Sequence, residues 1–159
     1  MLVIDTCSWL KIRLLDESGT LSLKSLLYAG DLWATHHLVK ELKHYLGDYL
    51  DFDKLSVQAV DIDKFKEYSE KKLDDADMSI IELSRRNPRT FVISDDHPEL
   101  EILNAFHVRS ARLSEYLLFL VKEGILRKND ANRAIKNLRQ VKNIKERDKD
   151  RLLEKVNLA

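Results

Sequence analysis

The sequence contains little cysteine, proline or glycine. Cys7 is the one cysteine among 159 residues, so an intrachain disulfide and a zinc site built from several cysteines are both excluded. Two prolines and four glycines favour helices joined by short loops over an all-β fold. No stretch approaches the roughly 18 consecutive apolar residues of a transmembrane helix. The N-terminus also lacks a signal-peptide pattern, and together these absences lead us to expect a cytoplasmic protein.

The formal net charge is zero, but the charged residues are unevenly distributed along the chain. The chain has 27 Lys and Arg against 27 Asp and Glu. Residues 121–159 carry 12 basic and 6 acidic residues, whereas residues 1–120 carry 15 and 21. An acidic body with a basic C-terminal part fits an acidic metal site beside a surface that meets polyanions. Solvated, charge-rich helices explain the basic part equally well.

Apolar runs alternate with helical patterns along most of the chain. Strands are predicted at Met1–Asp5, Asp31–His36, Ser56–Val60, Thr90–Ile93 and His107–Ala111. Strands that alternate with helices indicate a parallel sheet covered on both faces. We therefore expect an α/β protein with a three-layer α/β/α architecture, a central and mostly parallel sheet of four or five strands, and C-terminal helices.

Helical spacing of apolar residues predicts the elements between and after these strands. Helices are expected at Trp9–Leu15, Leu21–Leu27, Val39–Leu46, Phe65–Lys72, Asp74–Asn87, Glu99–Phe106, Leu113–Val121, Asn129–Asn143 and Lys145–Asn157. One face of the first C-terminal helix is apolar and is expected to pack on the body or on another subunit. That face consists of Ala131, Ile135, Leu138 and Val141.

Four acidic residues stand where elements of such a sheet would end or begin: Asp5, Glu41, Asp77 and Asp96. Asp5 and Asp96 each follow an apolar run typical of a strand buried on both faces. The carboxyl ends of parallel strands share one edge, and open α/β folds bind ligands there. Clustered like charges repel unless a cation neutralises them, and hard divalent cations prefer oxygen ligands. The pattern therefore predicts a metal-dependent enzyme acting on phosphate, with a nuclease as the leading interpretation.

Each of the four acids also has an ordinary structural interpretation. Asp5 and Asp96 are suited to capping a helix. Asp77 and its two acidic neighbours would each gain about 0.3–1 kcal/mol at a helix N-terminus. Glu41 is compatible with a solvated helix face. We favour metal binding for Asp5 and Asp96, with Asp95 as the alternative ligand, while Asp77 and Glu41 are ambiguous when considered singly.

Four short motifs, in their order and spacing, resemble those of the PIN-domain family. They are Val3–Ser8, Val39–Lys43, Leu73–Ser84 and Phe91–Asp96. The alignment selects Asp77 rather than Asp74 or Asp75, and it selects Asp96, with Asp95 in the place of a frequent Asn. The resemblance covers nearly all of residues 1–126, which we expect to form a PIN-like nuclease domain. Residues 127–159 would be a helical extension packed on the same domain or on a partner.

The resemblance implies an activity as well as a fold. A PIN-like protein would be a Mg²⁺- or Mn²⁺-dependent endoribonuclease with Asp5, Glu41, Asp77 and Asp96 as its catalytic acids. Asp5, Asp77 and Asp96 would bind the metal, and Glu41 would hold a bound water or a second ion. Many small members are toxins of VapBC-type toxin–antitoxin pairs. The implied partners are therefore RNA, an antitoxin protein and a second copy of the chain in a homodimer.

Polar residues near the four acids are candidates for orienting their carboxylates. These candidates are Thr6, Ser8, Ser94 and Asp95. Packing and turn formation are equally ordinary roles for the hydroxyls. The sequence offers no convincing Ser–His or Cys–His pair, which is consistent with hydrolysis by a metal-activated water rather than by a protein nucleophile.

Basic residues near the predicted cleft or on the C-terminal helix are candidates for contacting the phosphates of RNA. Such contacts give salt-sensitive affinity that does not depend on base sequence. Taken singly, each of these residues is better explained as part of a solvated helix face. The candidates are Lys11, Arg13, Arg109, Arg112, Arg133, Lys136 and Arg139.

Other functions are weighed against the nuclease. A catalytically silent PIN-like subunit would bind protein or RNA, but keeping four unneutralised acids would destabilise it. A haloacid-dehalogenase-like phosphatase needs an Asp two residues after the first one, where this chain has Cys7, and a receiver domain distributes its acids differently.

The adjacent His36 and His37, predicted at a strand end, would point to opposite faces and could not easily share a zinc ion.

Overall fold

Five short strands form one parallel sheet at the centre of the molecule. The computed structural model describes residues 1–19, 22–66, 73–140 and 146–159. The strands are β1 (Leu2–Ile4), β2 (Leu32–Thr35), β3 (Ser56–Gln58), β4 (Phe91–Ile93) and β5 (Arg109–Ala111). Each runs parallel to its neighbours. The predicted α/β class is therefore confirmed, and the sheet has the larger of the two predicted numbers of strands.

Helices connect the strands and cover the sheet. They are α1 (Thr6–Glu17), α2 (Leu23–Tyr28), α3 (His36–Leu46), α4 (Asp75–Arg86), α5 (His97–Ala105), α6 (Leu113–Lys122), α7 (Lys128–Gln140) and α8 (Glu146–Leu158). Helix α1 packs on α2, and α4 packs on α5. Right-handed crossovers place these two pairs on opposite faces of the sheet, in agreement with the expected three layers.

The central strands are apolar because both of their faces are buried. Val3 and Ile4 of β1 pair with Val92 and Ile93 of β4, and all four side chains are almost completely buried. β-Branched residues suit a sheet that is packed on both sides. This pairing fixes the ends of β1 and β4 side by side, so the residues that follow the two strands emerge next to each other.

The order of the strands creates a crevice at one edge of the sheet. The order is β3-β2-β1-β4-β5. The chain moves outward from β1 through β2 to β3, and then returns to the other side of β1 with β4 and β5. Connections leave β1 and β4 in opposite directions, and such a switch point is where open α/β sheets bind ligands. Asp5 follows β1 at this point, and residues 94–96 follow β4.

The predicted elements differ from the observed ones mainly at their ends. Helix α1 begins at Thr6 rather than Trp9, because Asp5 caps it. His36 and His37 form the first turn of α3 and not a strand end, because Thr35 caps that helix. Several predictions lie outside the described residues: the helix around Tyr68, and the positions of Leu21 and Val141.

The C-terminal helices pack on the rest of the chain. Helix α7 contacts α1, α6 and α8, and α8 also contacts α6. The apolar face predicted on α7 is buried at Ala131, Ile135 and Leu138. The proposed division of the chain at residue 126 stays a prediction. Within the described ranges, none of the helices has the length and apolar content that crossing a bilayer requires.

A buried pair of hydroxyls joins the end of β2 to the start of α4. Thr35 Oγ1 and Ser79 Oγ are 2.5 Å apart. Ser79 donates to the carbonyl of Ala76, so the hydroxyl of Thr35 donates to Ser79 while it accepts from the Leu38 amide. Thr35 therefore caps α3 and anchors α4 at the same time. These are the two helices that carry Glu41 and Asp77.

Replacing Thr35 by valine keeps the shape of the side chain but removes both bonds. We expect the free energy of unfolding to fall by about 1–3 kcal/mol, since a helix cap and a buried hydrogen bond are lost together. Urea unfolding measures the change. As a control, Ser22→Ala alters an exposed position that makes no capping bond and should shift stability by at most about 0.5 kcal/mol. Equal stability of the two variants would contradict the anchoring role.

Candidate functional site

Asp5 and Asp96 are neighbours at the crevice between β1 and β4. The amide of Asp5 donates to the carbonyl of Ile93 at 3.0 Å, which continues the sheet by one more bond. Asp5 caps α1, and Asp96 caps α5 by accepting from the Glu99 amide at 3.0 Å. The ordinary capping role foreseen for each residue is therefore present, and both carboxylates lie at the same edge.

Two serines hold the carboxylate of Asp5 in place. Oδ1 accepts from the Ser8 amide at 2.6 Å, and Oδ2 accepts from the Ser94 hydroxyl at 2.7 Å. The Ser94 hydroxyl in turn accepts from the Asp96 amide at 3.0 Å. Only 3% of Asp5 is exposed, and this burial raises its pKa against the opposing effect of the two serines. Ser8 and Ser94 thus contact the carboxylate of Asp5, and their predicted role in orienting catalytic acids stays a prediction.

Asp77 lies at the start of α4 and faces the same acidic cluster. Its amide donates to Asp74, and its carboxylate accepts from the Asp74 amide, so the pair forms a capping box. Burial raises the pKa of Asp77 to about 8, helped by repulsion from Asp74 and, to a smaller extent, from Asp96 and Asp5. Helix capping and proximity to the other acids are thus both properties of this residue.

Glu41 is the fourth predicted acid and lies in the second turn of α3. Its pKa is raised by burial first, and then by the charges of Asp74 and Asp5. The hydroxyl of Thr6 acts in the opposite direction by favouring the charged carboxylate. That hydroxyl is buried and makes no hydrogen bond of normal geometry within the described residues. The four predicted acids therefore influence one another electrostatically, although they come from four separate elements.

Glu99 is a fifth acid at this site, and the sequence interpretation missed it. It lies on α5, is completely buried, and neither carboxyl oxygen has a normal hydrogen bond within the described residues. Burial raises its pKa far above the usual value, and the charges of Asp5 and Asp77 raise it further. The available signal was its place three residues after Asp96. That spacing, however, is equally typical of a helix capping box.

These acids do not form a ready metal site. Among the described residues, no three acidic, histidine or cysteine side chains converge closely enough to hold an ion. Mutual repulsion favours separated carboxylates when no cation is present. The donor set nevertheless suits Mg²⁺ or Mn²⁺, because Mg²⁺ commonly takes only one or two protein carboxylates and fills its other positions with water and phosphate.

Asp95 forms an ion pair with Lys11, although its charge still raises the pKa of Asp5. Its Oδ2 lies 3.1 Å from the Lys11 ammonium and accepts from the Ser8 hydroxyl at 3.2 Å. Asp95 therefore ties the turn after β4, which carries Ser94, to α1, which carries Ser8 and Lys11. Lys11, predicted to contact phosphate, is already engaged by this ion pair.

The other predicted phosphate contacts are dispersed over the molecule. Arg13 pairs with Glu17 at 2.7 Å, and Arg133 pairs with Asp130 at 3.1 Å. Arg109 begins β5 at the edge opposite the acids, where it donates to the carbonyl of Arg89.

Two more of these residues lie on the part of α7 that contacts the far end of α1. Lys136 and Arg139 flank Asn137, which donates to Ser18. Helix α1 has 12 residues, so its length of about 18 Å separates Ser18 from Asp5. Arg112 is exposed just after β5 and shares the edge of the acids.

A groove adjoins the acidic cluster along α3 and the start of α4. Its volume is about 490 Å³. It combines basic and aromatic side chains with Glu41 and Asp74, and Tyr45 is 55% exposed. Sequence reasoning did not find this groove, because its two histidines and its tyrosine lie outside the four motifs. The lining residues are His37, Lys40, Glu41, His44, Tyr45, Asp74, Asp75 and Ala76.

Comparison with known proteins identified no relatives of this chain. No family model matches it, and no curated protein and no solved structure matches it either. Its interpretation therefore depends on its own residues and geometry.

The raised pKa values predict an unusual dependence of stability on pH. With metal removed, the folded state binds more protons than the unfolded chain at pH values between the ordinary carboxyl pKa, near 4, and the value of about 8 for Asp77. The free energy of unfolding should therefore rise as the pH falls from about 8 to about 5. Urea unfolding in the presence of a chelator measures this slope.

The Asp77→Asn variant should flatten that dependence, because one of the groups responsible is removed. Asp150→Asn, on the exposed surface of α8, should leave the slope unchanged. Greater stability at pH 8 than at pH 5 in the wild-type protein would show that these carboxyls are not held in an environment that favours their neutral forms.

Proposed function

We propose that this protein is a divalent-metal-dependent endoribonuclease. The observation that supports the proposal is the gathering of Asp5, Glu41, Asp77, Asp96 and Glu99 at the switch point of a parallel sheet. In the described part of the chain, none of these five carboxylates forms an ion pair with Lys, Arg or His, whereas Asp95 beside them does. A hard divalent cation would neutralise the negative charge that these carboxylates leave uncompensated.

The residues present are suited to hold such a cation. Asp5, Asp77 and Asp96 would provide direct ligands, and Glu41 would hold a bound water or a second ion. The capping bonds use Oδ1 of Asp96 and Oδ2 of Asp77, so one oxygen of each carboxylate makes no capping bond. When bound, Mg²⁺ or Mn²⁺ polarises a phosphodiester and activates a water.

The chain's own residues would position this chemistry. Ser8 and Ser94 fix the orientation of Asp5, and Ser94 also links Asp5 to the turn that carries Asp96. The ion pair between Lys11 and Asp95 partly offsets the charge that this turn adds to the site. The burial of Asp5 restricts access of bulk water to the inner side of the site.

The groove beside Glu41 suits a single nucleic-acid strand. Lys40 and two histidines can meet the phosphate backbone, and the exposed ring of Tyr45 offers a surface on which a base can stack. The choice of RNA over DNA depends on the PIN-domain resemblance. On that resemblance alone, we also propose a toxin–antitoxin role in the cytoplasm, with an antitoxin partner and a homodimer.

A second candidate function is a catalytically silent PIN-like subunit that binds protein or RNA. One observation favours it: no three acids converge in metal-binding geometry within the described residues. The two candidates differ in whether the acidic cluster binds metal and in whether removing one carboxylate abolishes an activity.

The direct test of the nuclease is cleavage of labelled RNA by the wild-type protein and by Asp5→Asn and Asp96→Asn. Asparagine retains the capping oxygen, so the circular dichroism spectrum should not change. Cleavage should fall by at least about 100-fold, because lost charge stabilisation costs tenfold in rate for every 1.36 kcal/mol. Asp150→Asn is the matched control and should cleave like the wild type. Wild-type rates in either cluster variant would contradict the proposed site.

Metal binding can be tested separately from activity by thermal unfolding. The wild-type protein should unfold at a higher temperature with Mn²⁺ than with EDTA, because a ligand at 100 times its Kd stabilises the folded state by about 2.7 kcal/mol. Asp5→Asn should lose most of this increase. A wild-type protein with the same unfolding temperature in Mn²⁺ and in EDTA would instead support the silent subunit.

A further inference from the structure

Glu99 has no structural explanation in the fold. It is completely buried, with a relative solvent exposure of 0%. Both carboxyl oxygens lack a normal hydrogen bond among the described residues. A buried carboxyl without partners is costly, whereas an apolar side chain of similar shape at the same place would pack without that cost. The stability of the fold therefore does not account for a glutamate here.

The helix does not need the side chain of Glu99 as a cap. In a capping box, the glutamate three residues after the cap reaches back to the amide of the capping residue. Here the capping residue is Asp96, and its amide already donates to the Ser94 hydroxyl at 3.0 Å. Glu99 contributes only its own amide, which donates to Asp96. Its carboxyl is left for another partner.

The groups that act electrostatically on Glu99 come from three different elements and are acidic. They are Asp5 at the end of β1, Asp77 on α4, and Asp96 at the start of α5. The hydroxyl of Ser94 is close enough to favour the charged form of Glu99, but it donates its hydrogen bond to Asp5. No ion pair joins Glu99 to a basic residue in the described ranges. The unpartnered carboxyl thus adjoins the inner side of the acidic cluster.

We propose that Glu99 is a direct ligand of the divalent cation, binding it from the buried side of the cluster together with Asp5. This inference extends the proposed metal-dependent function, on which it depends, by adding a ligand that the motif alignment did not contain. A hard cation such as Mg²⁺ or Mn²⁺ accepts carboxylate oxygens. It would give the carboxyl of Glu99 the partner that the protein itself does not supply.

The test is the affinity for Mn²⁺ alone, measured by electron paramagnetic resonance of free Mn²⁺ at constant pH. Glu99→Gln should bind Mn²⁺ at least tenfold more weakly than the wild type. In EDTA it should unfold at the same temperature as the wild type or higher, because it replaces an unpartnered acid by a neutral group. A residue with a purely structural role would show the opposite pattern, with lower stability and unchanged affinity.

Glu82→Gln is a matched control. Glu82 is the other completely buried glutamate of the described chain, but it lies on α4 and is paired with Lys64, Arg85 and Arg86. Its replacement should lower the unfolding temperature and leave the Mn²⁺ affinity unchanged. The contrast separates loss of a metal ligand from disturbance of a buried carboxyl in general.

Glu99→Asp distinguishes a ligand from a remote charge. It keeps the negative charge and withdraws the oxygens by one methylene, so a direct ligand should lose Mn²⁺ affinity, though less than in Glu99→Gln. Wild-type affinity in Glu99→Asp would overturn direct ligation, and wild-type affinity in Glu99→Gln would overturn any role in metal binding. If the wild-type protein binds no Mn²⁺, the proposed function fails and this inference fails with it.

Discussion

Repulsion among carboxylates at the end of β1 and β4 is the constraint on which the rest of the site depends. The sheet brings Asp5 and Asp96 together through the pairing of two apolar strands, and α3, α4 and α5 add Glu41, Asp77 and Glu99. Desolvation and mutual repulsion raise the pKa of Asp5, Glu41, Asp77 and Glu99. A fold that maintains such a cluster gives up stability in the absence of a cation, and this cost is the physical argument for a bound one.

Structural and functional roles of the acids are compatible in this arrangement. Asp5 and Asp96 cap α1 and α5, and Asp77 completes a capping box with Asp74. Helix caps occur where helices begin, and in a parallel sheet several helices begin at the edge where ligands bind. At Asp96 and Asp77 the capping bond uses one carboxylate oxygen and leaves the second for a ligand. At Asp5 the second oxygen accepts from Ser94, and a carboxylate oxygen has a further lone pair for a cation. Finding a cap is therefore no argument against a metal ligand at the same position.

The sequence was sufficient to predict the sheet, because apolar runs mark buried strands. It was also sufficient to predict that four of the five acids lie close together, because acids at strand exits share an edge of the sheet. Local pattern could not reveal contacts between distant residues. The ion pair of Lys11 with Asp95 joins α1 to the turn after β4, and it shows why a basic residue near the cleft is not free for phosphate. Glu99 was missed because its spacing from Asp96 matches a helix cap. The hydrogen bond from the Asp96 amide to Ser94 is what shows that the side chain of Glu99 does not complete a capping box.

The most direct test of this account is a crystal structure of the protein with Mn²⁺, in which anomalous scattering locates the ion. The account predicts a peak at the switch point between β1 and β4, within coordination distance of carboxylate oxygens of Asp5 and Asp96. Carboxylates that remain without an ion at saturating Mn²⁺, or an ion bound only elsewhere on the surface, would contradict it.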